Sequence, residues 1–191
     1  MTLSRNLVII FGALSCAASL PLMGADVGCP DLEGKDAAAH LEYLRGDRPK
    51  LSSNCIVASI RYLGSKHYAQ ASAAVIQYLD YPDPAAVARR GSILETYPAI
   101  DALYSMRKAV VPELTAAIAD AGTPDLAREN AAFVILFLFG GSQPEAVATL
   151  VHAANSQTDP TAARRLMDKA RWVAAKCIAA NRNECENVLL K

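Results

Sequence analysis

The residues from Pro124 to Gly141, PDLARENAAFVILFLFGG, restrict this chain more than any other stretch. Their middle, Ala131 to Phe139, is nine apolar residues in a row, three of them phenylalanine. A surface helix carries one apolar stripe, whereas a helix apolar all round must be covered on several sides. At about 18 residues, with Asp125, Arg128 and Glu129 in its first turns, the stretch makes a poor membrane span. It predicts the buried middle helix of a helical stack.

The surrounding chain supplies the stack. Asp83-Pro84, Thr123-Pro124 and Asp159-Pro160 each set a capping side chain before a proline at the first helical position. These prolines are spaced 40 and 36 residues apart. Each proline is preceded by a second break, at Gly64-Ser65, Met106-Arg107 and Gly141-Ser142. Ser142 with Glu145 reads as a capping box. Each unit is therefore a helix, a tight turn and a second helix: 53–81, 84–121 and 124–157, followed by a lone helix 160–180. Apolar residues recur at helical spacing, as in Tyr68, Ala71, Val75, Tyr78 and Leu79, and no stretch alternates like a strand. Pro98 and Pro112 predict a kink or a split helix in the second unit. The fold class is all-α, with about seven to nine helices.

Repeats of 35 to 45 residues made of two helices indicate an α-solenoid. SIRYLGSKHYAQASAAVIQYLDYPDP and NAAFVILFLFGGSQPEAVATLVHAANSQTDP resemble HEAT-type repeats of the armadillo/HEAT superfamily, in degenerate form. The resemblance covers about 50–180 and implies a short right-handed α–α superhelix. It also implies a packing role between units for the basic residues four or five positions after the prolines, Arg89, Arg128 and Arg164. Tetratricopeptide repeats are the rival helical pair, but their Trp/Gly/Tyr pattern is missing.

Residues 1–25 read as an export signal: Arg5 opens it, Leu7 to Leu22 form its apolar part, and Ala25 precedes the cut. Ala18 and Ser19 are competing cut points. A lipid on Cys16 or an uncleaved anchor are the alternatives. Residues 26–52 form a lead-in with a capping helix opened by Asp36, residues 53–181 the repeat domain, and 182–191 a tail. Export to the periplasm or beyond suits the remaining cysteines, Cys29, Cys55, Cys177 and Cys185, an even set. Of the three pairings open to them, Cys29–Cys55 and Cys177–Cys185 are expected, because each closes a local loop at one end. No C-x-x-C spacing or nearby histidine favours a metal instead.

The 19 basic side chains match the 19 acidic ones, which speaks against nucleic acid as partner, since that takes a basic face. No cofactor or catalytic motif stands out: H-E-x-x-H, G-x-S-x-G, P-loop and G-x-G-x-x-G spacings are missing. His67 and His152 fall on second helices of their pairs, the layer that lines the concave side of such a solenoid. All seven tyrosines lie between 43 and 104. Tyr62, Tyr78 and Tyr104 take core positions, which leaves Tyr43, Tyr68, Tyr81 and Tyr97 for a partner surface. The basic residues Arg164, Arg165, Lys169, Arg171, Lys176 and Arg182 form a solvated capping face, or a contact for an acidic partner or membrane surface, with Trp172 turned inward. The first functional reading is an exported scaffold that holds a protein or peptide on its concave surface. The second is an envelope enzyme of lyase or hydrolase type using that groove, and the third a structural envelope component.

Overall fold

The computed structural model describes residues 29–140 and 142–190, so the expected signal segment and Cys16 lie outside the described residues. Its centre is the helix α8, Asp125–Phe139. One broad side of α8 is buried through Ala127, Asn130, Ala131, Val134 and Ile135, positions that repeat every three or four residues. The expected cover on several sides is present, but one stripe of the helix is left partly open. Phe133, Phe137, Leu138 and Phe139 are only half-buried. Four neighbouring helices cover α8, and the stripe through Phe133 and Phe137 remains at the surface.

Ten other α-helices frame it, so the described chain holds eleven rather than the seven to nine expected. They are α1 (Ala37–Leu44), α2 (Ser53–Ser65), α3 (Ser72–Ile76), α4 (Pro84–Ala88), α5 (Ile93–Thr96) and α6 (Pro98–Ser105). After these come α7 (Val111–Ala119), α9 (Gln143–Asn155), α10 (Pro160–Ala175) and α11 (Arg182–Leu189). No strand occurs among the described residues. Most of the surplus arises in the first half of the second unit, which breaks into α4, α5 and α6, the break before Pro98 being the split expected there. Arg90 adopts a positive φ of 55° after α4, Ser92 and Glu95 form a capping box that restarts the chain, and Pro98 starts α6. Residues 182–189, read as tail, form α11 and pack on α9.

Caps follow the sequence signals where an aspartate precedes the helix. Asp36 accepts from the Ala39 amide at 2.9 Å, Asp83 from Ala85 at 2.9 Å, and Asp159 from Thr161 at 2.9 Å. Ser142 forms no capping box; its carbonyl, not its hydroxyl, accepts from Glu145. Thr123 likewise turns its hydroxyl to Asp120, and Pro124 itself stands at the cap of α8.

The turns inside the helical pairs share a backbone device. His67, Arg107 and Gly140 follow α2, α6 and α8, with φ of 50°, 67° and 50°. Gly64 is therefore not the turn. It lies inside α2, and a Cβ there would stand 2.7 Å from Cα and 2.8 Å from Cβ of Ala102 on α6. The missing side chain lets two helices touch backbone to backbone. In an exposed helix Gly→Ala is stabilising by roughly 1 kcal/mol. At this site Gly64→Ala is expected to destabilise by about 1–3 kcal/mol, read as a lower urea midpoint, because backbone has to move to admit the methyl.

Packing runs along the chain from α1 to α2, α2 to α6, α6 to α8, and α9 to α10 and α11. α7 joins α8 and reaches across to α10. One continuous core results, from Leu41 and Leu44 through Ile60, Leu103, Ile135 and Leu166 to Cys185. Buried polar links lock it. Asn130 on α8 donates to the Leu79 carbonyl at 2.6 Å, and the Tyr78 hydroxyl to the Leu44 carbonyl at 2.9 Å. The Arg48 guanidinium lies 5.2 Å and 5.1 Å from the ring centres of Tyr78 and Tyr81 and pairs with Asp80 at 3.1 Å.

Two arginines finish α7. Arg128 donates to the Asp120 carbonyl at 3.0 Å and Arg165 to the Ala119 carbonyl at 2.7 Å, where the helix leaves acceptors open. The reach from α10 is thus made by Arg165, while Arg164 is exposed. Cys29–Cys55 and Cys177–Cys185 are the disulfides, with Cα separations of 4.7 and 6.8 Å. They fasten the strap before α1 to α2, and the end of α10 to α11.

Candidate functional site

The residues singled out in the sequence do not gather in one place. Tyr43 accepts from the Ser52 amide at 2.9 Å and holds the loop between α1 and α2. Tyr81 packs edge-on to Tyr78 beneath Arg48. Tyr68 and Tyr97 are half-buried, the latter at the start of α6. His67 is exposed at its turn and its Nδ1 lies 2.7 Å from the Ser105 carbonyl, so it ties two turns together. His152 is exposed in the last turn of α9. Among the described residues no group of three or more metal-binding side chains converges.

Two other places do gather side chains. The first is a row of aromatic rings across three helices. Tyr104 on α6 meets Phe137 on α8 at 6.2 Å between ring centres. Phe137 meets Phe133 at 4.3 Å, and Phe133 meets Trp172 on α10 at 6.2 Å, all edge to face. Lys176 stands 5.2 Å over Trp172, so a cation borders the row at its α10 end, while Lys108 stands 4.2 Å over Phe139 outside the row and pairs with Glu145 at 3.8 Å. Tyr104 is 37% exposed, not the core residue expected, and Trp172 is half-buried rather than fully inward. The row escaped sequence reading because its members come from three helices far apart in the chain. Only the i, i+4 pair Phe133/Phe137 was visible there.

The second is a cavity of about 530 Å³ beneath the N-terminal strap, within the size range of small-molecule sites. Leu32, Glu33 and Lys35 of the strap form one wall, and His40, Ala58 and Tyr62 of α1 and α2 the other. His40 is 5% exposed, stacks on Tyr62 at 4.1 Å, and places Nδ1 3.1 Å from the hydroxyl oxygen of the fully buried Ser59. Sequence reading passed over His40 because nothing nearby in the chain marks its partner, nineteen residues away.

No family model, curated protein or solved structure matches the chain. Function rests on the geometry.

Burial lowers the pKa of His40 from its ordinary 6.5, and the Asp36 carboxylate opposes that only in part. The unfolded chain then binds the extra proton first as pH falls. Stability is full above about pH 6.5 and drops between there and the folded value. Urea midpoints measured between pH 5 and 8 are expected to slope upward with pH over this window. The same series on His40→Gln is expected to be flatter, and an equal slope in both would remove His40 as the cause.

Proposed function

We propose that the protein is an exported helical-repeat scaffold, a degenerate HEAT-like α–α superhelix, that binds a protein or peptide through its aromatic row. The single observation that carries this reading is the half-exposed row Tyr104–Phe137–Phe133–Trp172, with Lys176 against its Trp172 end. Aromatic rings that keep apolar area at the surface are favoured anchors of protein interfaces. The complementary partner is an apolar segment with an acidic residue at the end that meets Lys176.

The row lies on the first helices of the second and third units and on the lone helix α10, so the proposed face differs from the concave second-helix layer that the sequence favoured. Repetition supports the superhelix: three positive-φ turns follow α2, α6 and α8, and α2, α6 and α8 stack in succession. Two disulfides at the ends of the core support the exported location. Affinity capture from the exported fraction is expected to retain a partner on the wild type and lose at least nine-tenths of it, a roughly tenfold effect, on Phe137→Asp. Equal retention on a folded Phe137→Asp protein would remove the row from the interface.

A further inference from the structure

The cavity under the strap is a site of its own, on the N-terminal end of the molecule and built from other residues than the aromatic row. Its strap is held in place. Leu32 and Lys35 close successive turns onto the Cys29 and Leu32 carbonyls at 3.0 and 3.1 Å, and the Cys29–Cys55 disulfide bolts its start to α2. The walls therefore exist without a ligand, which lowers the entropic cost of binding.

The inner polar group is His40, and its protonation pattern follows from Ser59. A fully buried hydroxyl needs an acceptor for its hydrogen, and the described hydrogen bond of the Ser59 hydroxyl is to Nδ1 of His40. Ser59 therefore donates, Nδ1 accepts, and the neutral ring carries its proton on Nε2. Nε2 has no hydrogen-bond partner among the described residues, and His40 borders the cavity. The cavity thus holds a fixed N–H donor among apolar neighbours, Pro30, Leu32 and Ala58. Lys35 adds a cation on the facing wall.

The charges nearby balance: Lys35, together with Lys66 at 5.4 Å from the Tyr62 ring, against Glu33 and Asp36. Selection then falls to the donors rather than to a net field. A carboxylate satisfies both Nε2–H and the Lys35 ammonium, whereas an ammonium would find its acceptor on Glu33 alone and leave Nε2–H unpaired beside Lys35. We propose that this cavity binds a small carboxylic acid with an apolar body, its carboxylate held between His40 Nε2–H and Lys35 and its apolar part against Leu32 and Ala58.

The probes are sodium octanoate and octylamine, followed by calorimetry and by the ring resonances of His40 in nitrogen-15 spectra. Octanoate is expected to bind and to shift the His40 Nε2–H signal, while octylamine does neither. Lys35→Gln changes an exposed side chain, so the protein folds, and octanoate affinity is expected to fall about tenfold with loss of one charge-assisted bond. Ser59→Ala is expected to weaken binding and to alter the His40 tautomer signature. Lack of binding at millimolar octanoate would overturn the proposal. So would comparable binding of octylamine, an unmoved His40 signal, or full affinity in Lys35→Gln.

Discussion

Ile135→Asp is expected to leave no folded protein, while Phe137→Asp, two residues further along the same helix, is expected to fold. Ile135 has no exposed surface and sits in the continuous core. An aspartate there has no partner for its charge, at a cost of about 4–5 kcal/mol or more. That approaches the whole stability of a domain, about 5–15 kcal/mol. Phe137 is half-buried in the open stripe, so an aspartate at 137 reaches solvent. Its loss removes the edge-to-face contacts with Phe133 and Tyr104, worth about 1–3 kcal/mol. Far-UV circular dichroism and urea unfolding separate the two results. A folded Ile135→Asp would mean that α8 is not central. An unfolded Phe137→Asp would mean that the stripe is covered by the protein's own structure, and the aromatic face would be lost as a docking site.

Reduction of both disulfides is the second large effect. Cys29–Cys55 spans 26 residues and Cys177–Cys185 spans 8. By the chain-entropy model their bridges contribute about 3.5 and 2.5 kcal/mol, chiefly by restricting the unfolded chain. The two sites are at opposite ends of the core, so the effects are expected to add. Hydrogen exchange under reducing conditions is expected to show the strap before α1 and helix α11 losing protection first, with α8 amides last. The ends of the stack are where a helix lacks a neighbour. If α8 opened before α11, the bridges would be acting on the centre and the end-clamp account would fail.

Much of the helical frame was legible in the chain. Asp36, Asp83 and Asp159 act as caps because a carboxylate just before a helix satisfies amides that have no other partner, and that chemistry is local. The cysteine pairing was legible for the same reason, since each bridge closes a short loop. The Ser142 capping box failed because motif spacing does not dictate the rotamer of the hydroxyl. The split at Pro98 was legible from the proline itself, whereas the earlier break was not, because apolar periodicity runs across the positive φ at Arg90 and the box at Ser92, which are punctuation of single residues.

The site residues were less legible. His40 reads as one histidine among three until Ser59, Tyr62 and the strap come to surround it. Tyr104 and Trp172 read as core until the angles between α6, α8 and α10 leave a stripe uncovered.

The stretch Ala131–Phe139 by itself determined that one helix must be the centre of a helical stack, because so much apolar surface cannot face water. Which side of that helix stays open depended on where its neighbours lie. Burial depends on the sum of neighbours from distant parts of the chain, and a string of residues carries no account of that sum. Only the tertiary structure turned Phe133 and Phe137 outward and Ile135 inward.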